Sequence, residues 1–183
     1  MKHSEDQPVF EKRCRASLAT AVQKSHVRQI VVNFKVTACE ADFLIIGYGN
    51  TLRGDDGVGP RAAETIAALQ LPGVRTLVCP QLSPEQADPI SQARVVIFVD
   101  AAVDAPRGIQ LRRLEPADTV QLMAHAADPR TLLALARDVF GRAPEAWLVT
   151  IPVETLDFDE NLSPFARHGL EQAVREIQKL LAS

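Results

Sequence analysis

From residue 43 onward, apolar residues gather into short runs separated by polar and glycine-rich breaks, and the runs switch between strand and helix periodicity. Phe43-Leu44-Ile45-Ile46-Gly47 is a solid apolar run bounded by glycine, which predicts a buried strand of a parallel sheet. Pro60 to Leu71 predicts a helix, with Ala63, Ile66, Ala67 and Leu69 towards one face and Pro60 suited to the first turn. Val74 to Cys79 gives a second strand. Pro84 to Gln92 gives a short helix opened by Ser83 as N-cap. Arg94 to Asp100 is apolar until its terminal carboxylate and predicts a central strand. Ile109 to Leu114 alternates in polarity and predicts a half-exposed edge strand. Pro129 to Gly141 reads as a helix burying Leu132, Leu133, Leu135, Ala136 and Val139, capped by Gly141. Trp147 to Val153 is another strand. Ser163 to Leu181 closes the pattern as a helix with Leu170, Val174, Ile177 and Leu181 at helical spacing.

The order β-α-β-α-β-β-α-β-α predicts an α/β fold: a three-layer α/β/α sandwich around a mostly parallel twisted sheet of about five strands. Residues 1–42 differ, being polar and charged with one β-like run, Gln29 to Val36. They read as an N-terminal extension, open between a disordered tail and an accessory strand, ahead of a single domain over 43–183.

Composition narrows the function classes. A chain of 183 residues with 46% hydrophobic content suits one core of ordinary size. The formal net charge of −3 and scattered basic residues argue against nucleic acid or an acidic membrane surface as partner. Cys14, Cys39 and Cys79 form no CxxC pair and leave an odd count, which fits reduced thiols in the cytoplasm. No run approaches the ~20 apolar residues of a membrane span, and the N-terminus lacks the apolar stretch of a secretory signal. With no heptad seam or long exposed apolar stripe in the sequence, a monomer is the expectation.

The candidate chemistry is a set of acids and one imidazole. Asp55 and Asp56 lie in the loop after the first strand, Asp100 ends the third, and His125 precedes the Pro129 helix. Two carboxylates and a histidine form a three-ligand set suited to a divalent transition metal. Each residue also has an ordinary reading. Asp55 or Asp56 could cap the following helix, Asp100 could sit in a structural hydrogen bond, and a lone His125 would be structural. His168 reads as a solvated surface residue, His3 and His26 lack context, and Asp128 reads as a helix N-cap. A dinucleotide site at Gly47-Tyr48-Gly49 fails on spacing: Leu52 stands where the fingerprint needs glycine or alanine, and no Walker lysine is present.

The motif Gly47-x-Gly49-Asn50-x-Leu52-x-x-Asp55-Asp56-Gly57-x-Gly59 resembles the opening motif of the nickel-iron hydrogenase maturation endopeptidases, whose fold is phosphorylase/hydrolase-like. Ile97-Phe98-Val99-Asp100-Ala101 is similar to that family's second motif. His125 with Leu132 to Ala136 resembles its third, and Leu162-Ser163-Pro164 its C-terminal pattern. The resemblance implies Asp56, Asp100 and His125 as metal-site residues, with Asp56 and Asp100 also catalytic and Asp55 a cap or supporting neighbour. It implies hydrolysis: removal of a C-terminal peptide from the hydrogenase large-subunit precursor once nickel has been inserted. The nickel would be carried by the substrate, and the site would also be open to zinc or cadmium in vitro. A non-catalytic metal-sensing chaperone for a metalloenzyme precursor is the alternative that fits the same ligand set. One departure stands out. The better-known members carry a glycine- and threonine-rich loop after the second strand, where this chain has Cys79-Pro80-Gln81-Leu82-Ser83-Pro84-Glu85.

Overall fold

The computed structural model describes residues 42–118 and 128–183. The extension apart from Asp42, together with Cys14, Cys39, His3, His26 and His125, lies outside the described residues. Five strands, β1 (Phe43–Tyr48), β2 (Val74–Cys79), β3 (Val95–Val103), β4 (Gln110–Leu114) and β5 (Glu145–Val153), form one sheet in the order β2-β1-β3-β5-β4. β1 pairs in parallel with β2 and β3, and β3 with β5; β4 pairs antiparallel with β5. The all-apolar third run is central, and the alternating run forms an edge. Gln110, Arg112 and Arg113 are exposed along that edge, which discourages pairing with another chain.

Helices α1 (Val58–Ala68), α2 (Ala87–Ser91), α3 (Pro129–Phe140) and α4 (Pro164–Leu181) cover the sheet. Because successive strand residues point to opposite faces, the strands feed two cores. Ile45, Ile97, Val99, Val149 and Ile151 pack with Ala62, Ala63 and Ile66 of α1 and Ala173 and Ile177 of α4. Leu44, Ile46, Val96 and Phe98 pack with Ile90 of α2 and Leu132, Leu133 and Ala136 of α3.

The helix faces depart from the simple periodic reading. α1 starts at Val58, after a 3-10 turn over Gly54–Gly57, and Ala67 and Leu69 are exposed instead of buried. The reason is Gly59. A Cβ there would sit 2.5 Å from the Val99 carbonyl oxygen and 2.6 Å from that of Tyr48. The helix is pressed onto the backbone of β1 and β3, so the buried row runs through 59, 62, 63 and 66. In α4 the buried row is Ala166, Gly169, Ala173 and Ile177, while Leu170, Val174 and Leu181 flank it, half-buried. A Cβ at Gly169 would lie 2.8 Å from Ile151 Cγ2, so small residues set this seam too. Val139 is 63% exposed: Leu135 already marks the rim of the α3 face, and Val139 lies one turn beyond it.

β3 also runs three residues past its predicted end, pairing Ala101, Ala102 and Val103 with Ile151, Pro152 and Val153. Its pairing with β1 stops at Gly47 and Val99. Asp100 therefore lies inside β3, just where its neighbour β1 ends.

Candidate functional site

The chain leaves β1 and β3 towards opposite sides of the sheet, which makes the gap between their carboxyl ends the topological switch point where open α/β folds place ligands. The loop after β1 supplies Asp56 to this gap. At Gly49 φ is +137°, and a Cβ there would stand 2.1 Å from the Asp56 carbonyl oxygen, so only glycine fits. The turn is fastened by Asn50, whose backbone N–H donates to Asp56 Oδ2 at 2.8 Å and whose Oδ1 accepts from Leu52 N–H at 3.0 Å. One Asp56 oxygen is thereby held by the loop that carries it.

Asp55 points elsewhere. It is 1% exposed, and its Oδ1 accepts from the Ser163 N–H at 2.7 Å while Oδ2 accepts from Ser163 Oγ–H at 2.8 Å. Ser163 Oγ in turn accepts from Ala166 N–H, capping α4. Neither aspartate caps the following helix: α1 has Gly57 as its N-cap, with no side-chain cap bond. The neighbouring Arg53 strengthens the junction. Its Nε donates to the Leu156 carbonyl at 3.3 Å, its guanidinium stands 5.9 Å from the Phe158 ring centroid, and its backbone bridges to Asp159.

Burial, the largest cause, pushes the Asp100 carboxyl up from 3.8 to about 6; a Tyr48 hydrogen bond and the Ala101 N–H pull it back, and the Asp56 charge adds to the rise. Tyr48, one step past the Gly47–Val99 register pair, stands level with Asp100 on the neighbouring strand. Burial and then the Asp100 charge raise the Tyr48 phenol far above its ordinary value, so it remains a donor. Cys79, at the end of β2, has its thiol pushed up by burial, which disfavours the thiolate a cysteine nucleophile needs.

The structure thus sets Asp56 within electrostatic reach of Asp100 and sends Asp55 away to α4. Among the described residues no group of three or more His, Cys, Asp or Glu side chains could hold a metal ion. Asp56 and Asp100 make two, and His125 lies outside the described residues. Asp128, three positions further along, caps α3 by accepting from Arg130 N–H at 3.1 Å, as its sequence context suggests, and its charge reaches Tyr48. His168 is exposed on α4. Tyr48 is the residue that sequence patterning passes over; its parity with Ile46, on the same face as Phe98, is the signal that points it at Asp100. A hollow of about 380 Å³ lies elsewhere, lined by Ile109, Gln172, Arg175, Glu176 and Lys179. Its walls are mostly long flexible side chains, which fix no reacting geometry.

Two half-buried carboxylates thus stand at the switch point of a mostly parallel α/β sheet. The solved structures this fold resembles are more particular. The hydrogenase maturating endopeptidase HybD from E. coli matches at a TM-score of 0.61 with 23% identity, over 76% of this chain and 91% of that one. A [NiFe] hydrogenase maturation protease HycI from Thermococcus kodakarensis KOD1 matches at 0.60 with 22% identity, over 78% and 94%. A hydrogenase 2 maturation peptidase from Thaumarchaeota archaeon SCGC_AB-539-E09 matches at 0.56 with 22% identity, over 76% and 97%. No protein-family model and no curated protein sequence matches the chain. The fold is the one these maturation endopeptidases share.

Proposed function

We propose that this chain is an endopeptidase that removes a C-terminal peptide from the precursor of a nickel-iron hydrogenase large subunit after nickel insertion. The observation that carries this reading is the convergence of Asp56 and Asp100 at the switch point of a fold shared with hydrogenase maturation proteases. The Asp56 charge raises the cost of ionising Asp100, and a divalent cation relieves it. The nickel arrives as part of the substrate. Asp56, through the oxygen not held by Asn50, and Asp100 bind it, with His125 as the third ligand.

That arrangement lets the site read whether the precursor is loaded. The peptide is drawn against the carboxylates only when it carries the metal, and a water beside them attacks the scissile carbonyl. The Cys79–Glu85 loop lies on the β2 side of the same gap and adjusts which precursor is accepted. The reading places the protein in the cytoplasm, and no helix among the described residues is long and apolar enough to cross a membrane.

Mass spectrometry of a nickel-loaded large-subunit precursor after incubation with the protein tests this directly. Loss of a C-terminal peptide from loaded but not nickel-free precursor is expected. A tail that stays attached within a stable complex would instead make the chain a metal-sensing binding module.

A further inference from the structure

We propose that Tyr48 is a positioning residue for Asp100, its hydroxyl holding one carboxylate oxygen so that the other is turned to the gap shared with Asp56. This rests on the endopeptidase reading for its role in turnover, though not for the contact itself. Tyr48 is the last residue of β1, one step beyond the Gly47–Val99 register pair, so it sits level with Asp100 on the adjacent strand. Strand parity places it with Leu44 and Ile46 on the face that also carries Val96 and Phe98, and hence Asp100. β1 ends at Tyr48, so this is the last side chain the strand can direct to this face.

A phenylalanine would satisfy the apolar packing of Tyr48 against that core equally well. The hydroxyl is the part packing does not explain, and the phenol of a half-buried tyrosine at the end of a strand usually finds a polar partner. Asp100, level with it on the neighbouring strand, is the carboxylate that the register offers. A donor held beside a carboxylate restricts its rotamer, the service that outer groups perform for metal-binding carboxylates.

Tyr48 is the sole tyrosine of the chain, which permits a direct test. Fluorotyrosine incorporated throughout the full-length protein reports on this position alone. Replacing Asp100→Asn should shift its single 19F resonance, whereas Asp138→Asn, on the exposed end of α3, should not. In turnover, Tyr48→Phe should lower kcat on the nickel-loaded precursor by about 10- to 100-fold with KM and the unfolding midpoint little changed. An unshifted resonance in Asp100→Asn, or full kcat in Tyr48→Phe, would overturn the proposal. Should the wild-type protein leave the precursor intact, the endopeptidase reading fails and the 19F comparison alone decides the contact.

Discussion

Asp55 and Ser163, 108 residues apart, are joined by two hydrogen bonds of 2.7 and 2.8 Å that tie the glycine-rich loop after β1 to the first turn of α4. A carboxylate 1% exposed is stable only when its oxygens are satisfied, and here both are. The adjacent acids therefore divide the work: Asp55 fixes the loop so that Asp56 can face the gap.

Removing the anchor should cost stability before it costs chemistry. Asp55→Ala leaves the Ser163 N–H without its acceptor and should destabilise the protein by about 2–4 kcal/mol, measured by urea unfolding. Asp55→Asn, which keeps an oxygen for the N–H, should lose less. An unfolding midpoint in Asp55→Ala equal to that of the wild type would remove the anchoring role.

Asp56→Asn should behave in the opposite way. Its amide oxygen can still accept from Asn50 N–H, so the fold should persist with a near-native midpoint while cleavage of loaded precursor falls below detection. His168→Ala, altering an exposed residue on α4, should cleave at the wild-type rate. Normal cleavage by Asp56→Asn would exclude it from the site.

Asp100 should be a stability cost at neutral pH. Its folded pKa of about 6 exceeds the ordinary 3.8, so the folded state holds the proton more tightly than the unfolded chain. Stability therefore falls as pH rises through that window, and the penalty is complete above it. Asp100→Asn should be more stable than the wild type at pH 8, by on the order of 2–3 kcal/mol, with the gain gone near pH 3. Equal midpoints for the two proteins at pH 8 would show that Asp100 carries no such strain.

The glycines of the motif should not be equivalent to those outside it. A Cβ at Gly47 would lie 2.2 Å from the Gly59 carbonyl oxygen, a clash with backbone that cannot yield cheaply. Gly47→Ala and Gly59→Ala should each lower yield of folded protein sharply. Gly108→Ala meets nothing within 4 Å and bears only its φ of +96°, so a loss of about 1–2 kcal/mol is expected. Circular dichroism melts of the three variants would separate the groups, and a Gly59→Ala protein as stable as Gly108→Ala would contradict the close packing of α1.

The sequence alone determined the order of strands and helices, the central place of the Val95 run, the edge strand at Gln110–Leu114, and the caps at Asp128 and Gly141. These follow from local periodicity and turn chemistry, which depend on neighbours within a few residues. It also singled out Asp55, Asp56 and Asp100 as carboxylates in need of a reason. Only the tertiary structure separated them, because whether a carboxylate meets Ser163 or a second acid depends on contacts between residues far apart in the chain. The same holds for the helix faces, where Gly59 and Gly169 let backbone approach backbone and so rotate the buried rows towards small residues. It holds for Tyr48 as well: its role comes from where β1 stops beside β3, a register that no local pattern contains.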